Sequence, residues 1–305
     1  MSLKLRLKPR PSLKPSPLLI KLRHLDTLTL RHSDTLIFLM PSLSSIRAIL
    51  TDGDGVLNRG SDPLPGASEF LAALDEAGAP YLLLTNNATS TPEQISGRMA
   101  KMQIGISPER IFTSAQATAN WLKDRFAAGS RVLAVGEVGL WTPLRAAGFT
   151  LVDDHREAEL VVAGLDRQAT YAKLAEATLA INAGCPFIGS NPDLSIPTER
   201  GVEPGAGSIL AFLEAATGVA PTILGKPQPD FFHQALARLG VTAAETAMIG
   251  DRYETDILGG ANAGMRTIAV LTGISSAEVF ASSDPPPTWI FQDLRAVLEA
   301  WRSSR

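Results

Sequence analysis

Four short segments of this 305-residue chain combine acidic, basic and hydroxyl groups where they could meet. Asp52-Gly53-Asp54-Gly55 follows the apolar run Arg47-Ala48-Ile49-Leu50-Thr51, and Thr85-Asn86-Asn87 follows Tyr81-Leu82-Leu83-Leu84. Gly225-Lys226-Pro227 follows Thr222-Ile223-Leu224. Gly250-Asp251-Arg252 follows Thr246-Ala247-Met248-Ile249, with Asp256 five residues after Asp251. Open α/β sheets bind ligands beyond the carboxyl ends of their strands, so these groups would converge at one edge. Carboxylates gathered so closely repel one another, which implies a cation. An all-oxygen set suits Mg²⁺, a hard ion that keeps several waters and works with substrate phosphate. Taken singly each signal is weak. An Asp-x-Asp is commonly a turn, Gly-Asp often just ends a strand, and a lone lysine is usually on the surface. Their joint occurrence, in order and each after an apolar run, carries the reading.

Those runs, separated by helical patterns such as Asp230 to Leu239 and Asp256 to Ala263, indicate a parallel sheet covered on both faces. This is the doubly wound α/β pattern. The middle of the chain has its own set: strand candidates Arg131–Val135, Leu160–Ala163 and Pro186–Gly189, and a helix from Tyr171 to Ala183. Small or flexible residues flank it at Ala127-Ala128-Gly129-Ser130 and Thr217-Gly218-Val219-Ala220, which read as hinges of an inserted domain. The expected division is a basic, disordered tail over 1–40, a core from 41–127 and 220–305, and an α/β cap over 128–219.

Composition narrows the function. Hydrophobic residues make up 45% and charged residues 19%, as in ordinary globular proteins. No apolar run approaches the ~18 residues that span a bilayer, so no membrane partner is expected. Residues 1–40 hold eight Lys/Arg against two Asp, a balance of +6. With a net charge of −3 overall, the remainder carries −9 and offers no basic stripe for nucleic acid. The tail reads as a transit peptide, a basic arm, or residues upstream of a true start at Met40, and the third reading is favoured because the chain runs from Met40 straight into the first strand. The single cysteine, Cys185, allows no internal disulfide, fits a reducing cytoplasmic setting, and reads as a small buried hydrophobe. No His pair has zinc-binding spacing. Gly225-Lys226 is followed by Pro227 rather than Ser or Thr, position 58 breaks the dinucleotide glycine pattern, and no Gly-x-Ser-x-Gly elbow occurs.

From Ile46 to about Leu298 the chain resembles the haloacid dehalogenase superfamily. Within it the match is to the class with a large α/β cap, which includes phosphatases of the NagD type, 4-nitrophenyl phosphatases and phosphoglycolate phosphatases. Asp52-Gly53-Asp54-Gly55-Val56-Leu57, Thr85-Asn86-Asn87, Gly225-Lys226-Pro227 with Pro229-Asp230-Phe231, and Gly250-Asp251-Arg252 with Thr255-Asp256-Ile257 match its four motifs. Arg59-Gly60 before Leu64-Pro65-Gly66-Ala67, Leu165-Asp166-Arg167 before Thr170-Tyr171, Ser190-Asn191-Pro192-Asp193, and Pro204-Gly205-Ala206-Gly207 match the subgroup. Gly53 stands where a larger apolar residue is frequent, and Asn58 where an aromatic is common.

The resemblance implies a Mg²⁺-dependent phosphatase of small phosphomonoesters. In it Asp52 would be the nucleophile and Asp54 the general acid/base, and Thr85, Asn86 and Lys226 would hold phosphate. Asp52, Asp54 (through its carbonyl), Asp251 and Asp256 would be around the metal, with Asp256 binding directly or through water, or else capping a helix. Asp54 points away from dehalogenases and transport ATPases. A large cap favours a small phosphorylated metabolite, and relatives often pair through it, so a homodimer is expected. The loop Asp193 to Arg200 is expected either to contact the leaving group or to be plain surface. A phosphotransferase, or a non-catalytic phosphate-ligand-binding regulator on the same frame, are the alternatives; the second would predict loss of Asp52, Asp54, Lys226 or Asp251.

Overall fold

The computed structural model describes residues 43–198 and 200–305, so the reading of a disordered tail over 1–40 lies outside the described residues. A six-stranded sheet runs in the order Trp289–Phe291, Arg266–Val270, Thr246–Gly250, Ala48–Thr51, Tyr81–Thr85 and Ile111–Thr113, with every neighbouring pair parallel. Ala48–Thr51 and Thr246–Gly250 are buried along their whole length, as strands covered on both faces must be. Successive side chains alternate between the faces. Ile49, Leu83, Ile249 and Ile268 enter a cluster with Phe70, Leu74, Val297 and Trp301, from the helices Ala67–Glu76 and Leu294–Ser303. Leu50, Leu82, Leu84 and Met248 enter another with Phe231, Phe232 and Leu236 of the helix Pro229–Leu239.

A second, five-stranded parallel sheet runs in the order Thr222–Ile223, Phe187–Gly189, Leu160–Ala163, Arg131–Val135 and Thr150–Val152. One face packs with Leu140 and Leu144 of the helix Val138–Ala146 and with Ala115, Ala119 and Leu122 of the helix Ser114–Lys123. The other packs with Ala177, Ala180 and Ile181 of the helix Tyr171–Asn182 and with Leu210 and Leu213 of the helix Ala206–Thr217. The two expected hinges serve as turns of this layer. Gly129 N–H bonds the Gly148 carbonyl at 2.8 Å, and Gly218 ends the helix Ala206–Thr217 in the left-handed conformation.

One strand is corrected. Thr222–Ile223 pairs with Phe187–Gly189 in the second sheet, not with the core strands, and the following Leu224 is buried in the second sheet's cluster. Two residues with Thr222 exposed suit a sheet edge rather than a buried centre. Lys226 therefore reaches the site from a returning connection, not from the end of a core strand. The helix expected from Asp256 is also revised, since a π-helical turn over Tyr253–Ile257 precedes the α-helix Leu258–Asn262.

Phe231 is fully buried, its ring 5.3 Å from Phe112 and 6.2 Å from Phe232. Phe231→Ala is expected to destabilise the protein by about 3–5 kcal/mol, measured as the shift in a urea unfolding transition; a shift under about 1 kcal/mol would mean that the core collapses around the gap.

Candidate active site

Parallel strand register sets the site. Thr51 pairs with Ile249, so the chain ends carrying Asp52 and Asp251 leave the sheet side by side. The loop after Asp52 wraps around the Gly53 carbonyl, which accepts from the N–H groups of Val56 (3.1 Å), Leu57 (2.7 Å) and Asn58 (3.2 Å). Gly55 has φ +84°, and a Cβ there would stand 2.3 Å from Asp251 Oδ2, so only glycine lets this loop pass over Asp251.

A cleft of about 810 Å³ opens above these strand ends. Asp52, Asp54, Thr85, Asn86, Lys226 and Asp251 line it. Asp256 lies beneath, fully buried. Lys226, itself 3% exposed, sits between two carboxylates, with Nζ 2.8 Å from Asp52 Oδ1 and 2.7 Å from Asp256 Oδ1. The other Asp256 oxygen accepts from Arg252 N–H at 3.2 Å. Asp256 thus binds a turn N–H as well as the lysine, but Arg252 is the N-cap position.

Electrostatics explain the arrangement. Burial alone would push the Lys226 ammonium down; the charges of Asp256 and then Asp52, and the hydrogen bonds to both, outweigh it and hold the ammonium above its ordinary range. Burial raises Asp251 to about 6, helped by the charge of Asp52 and opposed by the Ile274 N–H, which donates to Asp251 Oδ2 at 2.8 Å. Burial also raises Asp256, against the pull of Lys226 and with the charges of Asp52 and Asp251 adding to the rise. A charged lysine beside a carboxyl that resists ionising looks contradictory for one ion pair. Three carboxylates against one ammonium resolve it: the ammonium stays charged, while burial first, and then the repulsion among the carboxylates, raises the acids. Oxygens of Asp52, Asp251 and Asp256 lie within 4.8 Å of one another, so this hard, oxygen-only, negatively charged set fits a divalent cation.

Asp54 opens onto the cleft, crowded by its walls. That crowding, then the charge of Asp52, raises its pKa, while Asn58 pulls the other way by donating from Nδ2 to Asp54 Oδ1 at 2.9 Å. Asn58 was visible in the sequence only as a departure from the usual aromatic. Its Nδ2 also reaches the Gly60 carbonyl at 3.0 Å, and its buried Oδ1 has no hydrogen-bond partner among the described residues. The Thr85 hydroxyl accepts from Asn87 N–H at 3.1 Å. Asn86 brackets Lys226, accepting from its N–H at 2.8 Å and donating to its carbonyl at 3.1 Å. Arg98, Arg167 and Arg252, unassigned from sequence, also line the cleft. The Asp193 to Arg200 segment is no plain loop, because Ser195–Thr198 forms a hairpin with Gly201–Pro204. Asp193, Ser195, Ile196 and Pro197 form part of the cleft wall. Cys185 lies away from the cleft, its thiol raised by burial and donating to the Ala158 carbonyl at 3.2 Å, as a packing residue.

Residues 49–150 match the family described as haloacid dehalogenase-like hydrolase, and residues 223–297 the family described as HAD-hydrolase-like. The chain belongs to the haloacid dehalogenase superfamily. It is 43% identical over 256 residues to an acid sugar phosphatase of Staphylococcus aureus, covering 84% of this chain and 98% of that one. Among solved structures it is similar to a glycerol phosphate phosphatase of Mycobacterium tuberculosis in complex with magnesium (36% identity, TM-score 0.80, 85% of this chain and 78% of that one). It is also similar to NagD of Escherichia coli K-12 (34% identity, TM-score 0.76, 82% and 97%). These likenesses put it in the NagD-like branch of the superfamily, with the doubly wound core and cap of that branch. Among the described residues no helix is long and apolar enough to cross a membrane.

Two outcomes follow from the charge surplus. Raised carboxyls bind protons more readily folded than unfolded, so in metal-free protein their contribution to stability is full below pH ~4 and lost as pH rises through about 6 for Asp251. Mg²⁺ requires the ionised forms, so the gain in melting temperature on adding Mg²⁺ is expected to grow between pH 4 and 7; a gain independent of pH would mean the ion binds elsewhere. Lys226→Met should destabilise metal-free protein by about 3–5 kcal/mol, and by less in saturating Mg²⁺, read from chemical denaturation.

Proposed function

We propose that this chain hydrolyses small phosphomonoesters through an aspartyl-phosphate on Asp52. The observation that carries the proposal is the Asp52–Lys226–Asp256 arrangement beside Asp251 and Asp54 at the floor of one cleft. Acid sugar and glycerol phosphate phosphatases among the relatives support the substrate class.

Asp52 Oδ1 is held by Lys226, and its other oxygen makes no hydrogen bond among the described residues, which leaves a lone pair for phosphorus. As the Asp52 oxygen–phosphorus bond forms, the phosphorus–oxygen bond to the leaving group breaks, and Asp54 supplies the proton to that oxygen. Its raised pKa shifts Asp54 toward the protonated form this task needs. Asp54 then takes a proton from the water that hydrolyses the aspartyl-phosphate, releasing inorganic phosphate and restoring both carboxyls. Thr85 and the backbone at Asn86, which line the same cleft, would hold phosphate oxygens, with the Lys226 ammonium beside the nucleophile. Two unit charges ~4 Å apart repel by roughly 4 kcal/mol at an effective dielectric near 20, so an anionic nucleophile needs compensation to meet a phosphate. Side chains of Asp52 and Asp251 and the Asp54 carbonyl would hold Mg²⁺, with Asp256 direct or through water. When bound, the ion supplies that compensation.

We take the cap as the layer between Ser114 and Leu224, whose ends share its apolar cluster. Exposed Tyr171, Leu179 and Phe212 on its outer helices support pairing through the cap. The single cysteine supports a cytoplasmic site of action.

With 4-nitrophenyl phosphate and Mg²⁺, wild type is expected to release phosphate. Asp52→Asn should lower kcat by more than about 10³-fold and Asp54→Asn by about 10²–10⁴-fold. Turnover that survives Asp52→Asn would remove the nucleophile assignment. Phosphoryl transfer to added alcohols exceeding hydrolysis would favour a phosphotransferase.

A further inference from the structure

The cap sends one carboxylate into the catalytic floor. Asp193 precedes the hairpin, and its main chain is pinned at both ends: its N–H donates to Asn191 Oδ1 at 3.1 Å, and its carbonyl accepts from Gly207 N–H at 2.8 Å. The Leu194 carbonyl accepts from Gly205 N–H at 2.9 Å, so the segment satisfies donors that the start of the helix Ala206–Thr217 leaves open. The approach tolerates no side chain, since a Cβ on Gly205 would stand 2.2 Å from the Asp193 carbonyl oxygen and one on Gly207 2.3 Å from that of Pro192. The Pro204-Gly205-Ala206-Gly207 motif is thereby explained as the mould for Asp193.

The side chain so aimed crosses to the core. Asn86 Nδ2 donates to Asp193 Oδ2 at 3.0 Å, and Arg252 faces Asp193 Oδ1 at 3.8 Å. The two Asn86 amide protons are thus divided between Asp193 and the Lys226 carbonyl, while Asn86 Oδ1 holds the Lys226 N–H. Losing Asp193 leaves the amide free to turn about its last torsion and to release the Lys226 backbone. A carboxylate with both oxygens engaged is also ill suited to greet an anionic phosphate, so direct substrate binding is not its task.

We propose that Asp193 is a positioning residue contributed by the cap, which acts through Asn86 to fix the Lys226 backbone and so the ammonium against Asp52. The inference rests on the assignment of Asp52 and Lys226 above. Catalytic alignment then depends on the cap being seated, because the residue that locks Asn86 belongs to the cap.

The test compares Asp193→Ala and Asp193→Asn in the full chain with 4-nitrophenyl phosphate and Mg²⁺, each checked for an unchanged melting transition. Asp193→Ala is expected to lower kcat by roughly 10- to 100-fold, since small misplacements cost that much, while KM moves by less than about 3-fold. Asp193→Asn keeps an acceptor for Asn86 and should recover kcat to within about 3-fold of wild type. An unchanged kcat in Asp193→Ala, a rise in KM alone, or an Asp193→Asn no better than Asp193→Ala would each overturn the proposal. Asp52→Asn in the same assay separates the two readings: if it stays active the nucleophile assignment falls, while the Asp193 pair still reports whether turnover depends on this contact.

Discussion

A buried ammonium between two carboxylates, with a third beside them, is the constraint around which the rest of the site is arranged. Lys226 loses its hydration at 3% exposure, and only the charges of Asp256 and Asp52 make that tolerable. Yet three carboxylates cannot be balanced by one lysine. Burial, with this imbalance added, makes Asp251 and Asp256 hold a proton to higher pH than an ordinary aspartate until another cation arrives. The same imbalance makes the site receptive to a divalent ion and keeps it from being an inert salt bridge.

The fold meets this demand with unequal tools. Parallel register delivers Asp52 and Asp251 as neighbours, because adjacent strands end together and their side chains leave the sheet at the same edge. Lys226 has no such strand. It arrives on a connection returning from the second sheet and is held by side chain to main chain bonds from Asn86, at the end of Tyr81–Thr85. Its placement is correspondingly conditional on neighbours, where that of the aspartates is set by sheet geometry.

That division also decides what the sequence could disclose. Asp52, Thr85, Asn86 and Asp251 were legible because a buried strand reads as an unbroken apolar run and its polar ending is abrupt. Thr222-Ile223-Leu224 shows the same local signal, but nothing in three residues says which sheet they join, and they join the second. Ile111–Thr113, Thr150–Val152 and Trp289–Phe291 are three-residue strands, too short for periodicity to mark. In the π-helical turn Tyr253–Ile257, Asp256 reaches the local Arg252 N–H and the distant Lys226, and the second partner is a tertiary pairing. Asn58 and Asp193 matter through contacts across loops, which spacing alone does not encode. Motif resemblance marked both neighbourhoods without saying that one side chain holds Asp54 and the other Asn86.

In the proposed reaction the groups that do the chemistry and the rest of the cleft lining come from different parts of the chain. Every group that meets the phosphate in the proposed reaction comes from the core, while the rest of the lining mixes Ile95, Arg98 and Met99 of the core with Arg167, Ile196 and Pro197 of the cap. Arg167 is already paired with Glu137 at 2.7 Å, whereas Arg98 has no ion pair among the described residues and donates only to Ser90 Oγ at 2.9 Å. Its charge is felt by Asp54, which it stabilises as the carboxylate. Arg98 and Asp54 thus share the cleft with the apolar side chains of Ile95 and Met99. A leaving group must therefore satisfy a mixed surface rather than a uniformly polar one. In the proposed reaction, substitutions at Ser195, Ile196 or Pro197 of the hairpin bear on which alcohols fit, because none of the three bonds to Asp52, Lys226, Asp251 or Asp256 among the described residues.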